Sequence, residues 1–261
     1  MEKKINGFSI IAVSFLIVGQ LVGAGILGIP IIAGIIGFFP SVVVMIVICI
    51  SMIFTALIFG NEASSQADEF FSFPSLYEKY LGKVAKWIAI ALNMVLLYGL
   101  LTAYIAGGSS IIVSLFNVPL PTPAVVLLFF LFITGFALLG VSLIKKCNVL
   151  LIVLMWSSFA ALIIFGAKYA KISHYSHIDL IFIPATIPII ITSFNFSNLI
   201  PVVAKNLDWK MPYVWKAIVL GMVIALIMNT IWVAVGCGVL PLFGVDGGAS
   251  LVDSYISNTP A

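Results

Sequence analysis

Residues 18–30 read VGQLVGAGILGIP, four glycines and a proline set in the middle of an apolar block that runs from 8 to 36. Glycine and proline both weaken a helix, one by its freedom and the other by its missing N–H. One glycine at such a place is accounted for by close helix packing, because small residues let backbones approach in a membrane. A cluster asks for more. The run Gly23-Ala24-Gly25 predicts a local unwinding that frees N–H groups at the start of an outer half-helix. At membrane depth, unwound backbone persists only where it lines a cavity or is buried in protein.

The composition places this block in a bilayer. Hydrophobic residues are 63% of the 261-residue chain and charged residues 8%, with a mean hydropathy of +1.28. A soluble domain carries about 25% charged residues. The block 8–36 is also too long for a signal peptide, whose apolar stretch covers about 7–15 residues. Further blocks of bilayer length occupy 41–60, 84–116, 124–143, 148–169, 180–203 and 214–240, which predicts seven spanning helices. The runs do not alternate, so strands of a barrel are not expected.

Lysine supplies all twelve basic residues of the chain. With Met1 in the cytoplasm, the cytoplasmic segments hold Lys3, Lys4, Lys79, Lys83, Lys86, Lys145, Lys146, Lys205, Lys210 and Lys216, leaving only Lys168 and Lys171 outside. This bias predicts a multi-pass protein of the plasma membrane with a cytoplasmic N-terminus. Cys49, Cys147 and Cys237 have neither CxxC nor metal-ligand spacing, and no disulfide is expected.

The sixth block repeats the theme of the first. ATIPIIITSFNFSNLIPVV (185–203) gathers Pro188, Ser193, Asn195, Ser197, Asn198 and Pro201 in one apolar run. Bonding of these polar side chains to neighbouring helices is one reading. The other is that spans one and six are equivalent first helices of two five-helix repeats of opposite orientation, since paired Gly/Pro-interrupted segments point to a transporter's binding site. The expected architecture is then an all-α integral membrane protein with a LeuT-type inverted-repeat transporter fold. It forms one transmembrane domain: a first repeat over about 8–169, the start of a second over about 180–240, and an extracellular segment over 241–261. The chain is expected to be truncated after the seventh helix, as a fragment of a longer permease.

Four motifs occur in order: VGAGILGIP (22–30), LIFGNE (57–62), PSLYEKYLGK (74–83) and LLYGLLTAYIAGGS (96–109), followed by SFNFSNLIP (193–201). Together they resemble the aromatic and hydroxy amino-acid permeases of the amino acid/polyamine/organocation superfamily. The resemblance implies secondary active, cation-coupled uptake of aromatic or hydroxy amino acids, with H+ favoured over Na+ and no other cofactor. The partners implied are an amino acid and the lipid bilayer, not nucleic acid. The substrate site implied by the interrupted helices comprises Gly23, Ala24, Gly25 and Ile26 with Ser193, Phe194 and Asn195. Tyr98 and Thr102 are four residues apart and share a face of span three, as a wall of the same site or as partners of a neighbouring helix. Gln20, Gly23 and Glu62 are the candidates for ion coupling. Gln20 departs from the small residue or Thr usual before the glycine motif. Glu62 has a second reading as the ion-pair partner of a nearby Lys.

His174 and His177 are read as loop residues, since two ligands without further donors make a weak metal site. No HExxH and no phosphate-binding loop is present. A membrane enzyme would need acids, bases or metal ligands at depth, which the spans nearly lack, so no enzymatic activity is expected. A partner subunit or fragment without transport of its own is the remaining rival.

Overall fold

Pro30 has no N–H to offer the carbonyl four residues back, and in a continuous helix its ring would press on that carbonyl. In the computed structural model of the chain, which describes residues 6–25, 28–65, 73–116, 119–138 and 141–239, helix α1 (Gly7–Gly25) stops short of this conflict. Helix α2 (Ile29–Ile36) then restarts with Pro30 in its first turn. The interruption therefore lies one step later than the glycines suggest. Gly23, Ala24 and Gly25 form the last turn of α1 and are not unwound, while Ile26 falls outside the described residues.

Helix α3 (Phe38–Ser65) follows a one-residue corner at Gly37, whose φ of 96° lies in the left-handed region. Helix α4 (Phe73–Phe116) is bent by non-helical torsions at Gly82, φ 85° and ψ 175°. Helices α5 (Thr122–Leu138) and α6 (Val141–Gly166) come next. Lys145 and Lys146, expected to open span five, lie in the first turns of α6, where lysine is a good helix former. Two 3-10 turns, Ala167–Tyr169 and Ile172–Ser176, lead to the sixth block. That block is split into α7 (Ile183–Ser193) and α8 (Ile200–Asn206), and the last described helix is α9 (Met211–Val239).

By length and composition, Phe38–Ser65, Pro74–Phe116, Ile183–Asn206 and Met211–Val239 are able to cross a membrane, and Gly7–Val22, Thr122–Phe136 and Val153–Tyr169 are shorter apolar helices. Each of the seven expected spans overlaps one of these segments. The chain is a multi-pass, all-helical membrane protein.

The chain divides into two compact units, Met1–Phe70 with Ser157–Ala261, and Phe71–Trp156. In the first, α9 is the central post, packed against α1, α2, α3 and α8. Its sequence makes this possible: Ala217, Gly221 and Ala225 are buried and recur every fourth residue, giving a smooth stripe. A Cβ at Gly221 would lie 3.0 Å from Ile17 Cβ and 3.0 Å from the Ser14 carbonyl oxygen, so α1 and α9 approach backbone to side chain. The Ser14 hydroxyl lies 3.1 Å from the Ala217 carbonyl across this contact and 2.9 Å from Ile10 in its own helix. On α3, Gly60 faces Val214 and Ile218. In the second unit α4 packs on α5, where Phe129 sits against Gly108. Most of the apolar side chains of α4 and α5, among them Leu92, Val95, Leu127 and Phe132, are exposed, as lipid-facing or helix-facing surfaces of a membrane protein are.

Candidate substrate site at two broken helices

The end of α1 at Gly25 leaves carbonyls without partners in its last turn, and the start of α2 leaves N–H groups without partners in its first. The two ends flank residues 26–28 in the chain and carry opposite partial charges, negative on the α1 side and positive on the α2 side. The sequence reading assigned free N–H groups to Gly23-Ala24-Gly25. With those residues still helical, they present carbonyls instead, and the N–H donors belong to Gly28 and the first turn of α2.

The second break lies beside the first. Gly28 is placed against Ile189 of α7, with 3.3 Å between its would-be Cβ and Ile189 Cγ2, and α7 ends one turn later at Ser193. Phe194 closes that helix, its N–H donating to Ile190 and Ile191 carbonyls at 3.2 and 3.1 Å. Asn195 then turns the chain: its Oδ1 accepts from the Ser197 N–H at 3.2 Å. A 3-10 turn, Ser197–Leu199, leads into α8, which holds Pro201 in its first turn. Pro201 stands in the first turn of α8 as Pro30 does in that of α2, where its missing N–H costs nothing. Ser193 and Phe194 are buried and Asn195 half-buried. The Ser193 hydroxyl donates to the Ile189 carbonyl at 2.8 Å, so it offers a ligand its lone pairs and not its proton.

The remaining candidates are placed as follows. Gln20 is exposed on α1, away from the buried Ile17, Val18 and Leu21. Glu62 is half-buried near the end of α3, where its carbonyl accepts from the Ser65 hydroxyl. Tyr98 and Thr102 belong to the second unit, on an exposed face of α4, and the Thr102 hydroxyl donates to the Tyr98 carbonyl at 2.9 Å. Thr102 is thus bonded within its own helix and not to a neighbouring one.

The segment after α6 does more than a loop reading of its histidines implies. His177 Nε2 donates to the Ile35 carbonyl at 2.9 Å and the Asp179 N–H to Ile36 at 3.1 Å, covering the end of α2. His174 Nδ1 donates to Gly238 at 2.8 Å, the Lys171 N–H to the same carbonyl at 3.0 Å, and the Tyr175 hydroxyl to Ala234 at 2.8 Å, covering the end of α9. Orphan carbonyls at two helix ends are satisfied by one segment. Burial first, with Cys237 second, holds the Tyr175 phenol above its ordinary range, so it remains a donor. Nothing in the spacing of these residues signalled the role. The small-residue stripe on α9, by contrast, has a signal in its spacing at Ala217, Gly221 and Ala225 that the sequence reading did not use.

Among the described residues, no group of three or more His, Cys, Asp or Glu is assembled to hold a metal ion. What the geometry defines is a helical membrane protein in which two broken spans lie side by side. A sequence profile of the tryptophan/tyrosine permease family matches residues 6–245. The chain belongs to that family. It is 29% identical over 221 residues to "Tyrosine-specific transport system 1" of Haemophilus influenzae, covering 84% of this chain and 55% of that protein. It is 29% identical over 232 residues to "Glutamine transporter 2" of Aliivibrio fischeri, covering 86% and 60%. To the "Low affinity tryptophan permease" of Proteus vulgaris it is 26% identical over 247 residues, covering 89% and 58%. The chain therefore spans somewhat more than half the length of these relatives. No solved structure matches.

Proposed function

We propose that this chain carries the substrate site of a secondary active amino-acid transporter with a LeuT-type inverted-repeat fold. The substrate is an aromatic or hydroxy amino acid, taken up with a cation, H+ in preference to Na+. The observation that carries this reading is the pairing of the two breaks, with Gly28 against Ile189 and both helices restarting at a proline. An amino acid has a carboxylate and an ammonium group close together, and the first break offers one helix end for each. The α2 N-terminus suits the carboxylate and the α1 C-terminal carbonyls suit the ammonium or the coupling cation. Ser193, Phe194 and Asn195 then meet the side chain, with Phe194 supplying an apolar wall. Gln20 and Glu62 remain the candidates for coupling. Two of the relatives cited are named for aromatic amino acids, which supports that class, and the third is named for glutamine, which lies outside it.

The test is uptake of L-tyrosine, L-tryptophan, L-serine and L-threonine into vesicles containing the chain. Uptake should quicken under an inward pH gradient without sodium, and strict sodium dependence would reject proton coupling. Because the chain spans 55 to 60% of the length of the relatives cited, a chain that binds but needs a partner to transport is the second reading. Binding without uptake would select it.

A further inference from the structure

Asn229 lies midway along α9, 1% exposed, and its amide nitrogen has no hydrogen-bond partner. Among the described residues no other buried side-chain nitrogen or oxygen is left unpaired in this way. A lone amide donor in an apolar interior is destabilising compared with an apolar side chain of similar size, so its presence needs a reason.

Two contacts of α9 fix the depth of Asn229. Below it, Gly221 is against Ser14 and Ile17 of α1. Above it, a Cβ at Gly236 would lie 2.7 Å from Pro30 Cβ of α2. At a rise of ~1.5 Å per residue, Asn229 stands ~12 Å above Gly221 and ~10 Å below Gly236. The same ~12 Å counted up α1 from the Ser14–Ile17 contact reaches residues 22–25, the last turn of that helix. Asn229 is thus level with the last turn of α1, where the first break begins. Residues seven apart on a helix differ by only ~20° in direction, so Asn229 shares the face of α9 that meets Pro30.

We propose that Asn229 is a substrate-binding residue, whose side-chain amide donates a hydrogen bond to the carboxylate of the amino acid at the first break. This rests on the reading of that break as the amino-acid site. The carboxylate then has donors from two elements, backbone N–H groups of α2 and one side chain of α9. The unpaired nitrogen is the ligand-free half of that bond.

A test uses the full chain in lipid nanodiscs, with binding of L-tyrosine, L-tryptophan and L-glutamine measured per folded molecule beside thermal unfolding without ligand. Asn229→Leu removes the donor and keeps the volume. It should leave the unfolding midpoint unchanged or raised, and weaken binding by about ten-fold or more. Asn229→Asp, which exchanges the donor for an acceptor, should weaken binding at least as much. Unchanged affinity in Asn229→Leu overturns the proposal. So does a lowered midpoint in that variant, which reveals a structural hydrogen bond, and so does normal binding by Asn229→Asp, which reveals an acceptor's role. If the parent chain binds none of the three amino acids, the reading of the break falls and this proposal with it. If the parent binds and the variants bind equally well, only this proposal falls.

Discussion

At Gly221 a single hydrogen stands where any other residue would drive a methyl group into Ile17 and the Ser14 carbonyl. The carbonyl is backbone and cannot step aside, so Gly221→Ala should destabilise the α1–α9 contact by about 1–3 kcal/mol. A lowered unfolding midpoint in detergent checks this. Gly135→Ala on α5, where a Cβ would meet nothing within 4 Å, should leave the midpoint nearly unchanged. The stripe to which Gly221 belongs was open to reading as Ala217-xxx-Gly221-xxx-Ala225, because close packing selects for small side chains whatever the partner helix is. The roles of His174 and His177 were not open to it. Their partners, the Gly238 and Ile35 carbonyls, are 64 and 142 residues away, and a backbone acceptor leaves no signature in sequence. Asn229 was passed over for a related reason, since its meaning lies in a bond that the folded chain does not make.

The helices themselves were legible as apolar blocks, and their breaks as proline and glycine clusters, but proline marks only where each helix restarts. Pro30 fixes the restart of α2 and Pro201 that of α8, while the three-residue glycine run remains helical. Free N–H groups had therefore been assigned to the wrong side of the first break. Helix α4 makes the complementary point: the sequence starts span three at 84, yet helix continues on both sides of Gly82 through a bend. Glu78 and Lys86 are paired at 2.5 Å across it, although eight residues of straight helix would separate them by ~12 Å along the axis. Ala tolerates φ of 85° poorly, so Gly82→Ala should straighten the bend. Spin labels at Tyr77 and Leu92 report it: the mean distance should lengthen toward the ~22 Å of fifteen straight helical residues. An unchanged distance would show that the surroundings, not the glycine, impose the bend.

Over the whole molecule, the expected alternation of spans rests on lysine placement, because lysine is expensive to carry across a bilayer and collects on one side. Within the first unit, Lys168 and Lys171 lie by the end of α9 that the histidine segment covers, and Lys210 and Lys216 lie at its beginning. The orientation proposed from this has a direct check in intact cells. An impermeant thiol reagent should modify Ser173→Cys, in the exposed turn after α6, and spare Lys83→Cys, and the reverse pattern would invert the topology. What Tyr98 and Thr102 face was not readable, because their spacing establishes a shared face of α4 and nothing beyond it. The account stands or falls on the first break being where the amino acid binds. The most direct measurement is substrate binding per folded molecule, in lipid, for Gly25→Val and Ser193→Ala beside Gly135→Ala. Bulk at Gly25, the last residue of α1, should abolish binding while the folded yield and the control stay normal, and Ser193→Ala should weaken it. Binding preserved in folded Gly25→Val would contradict the account.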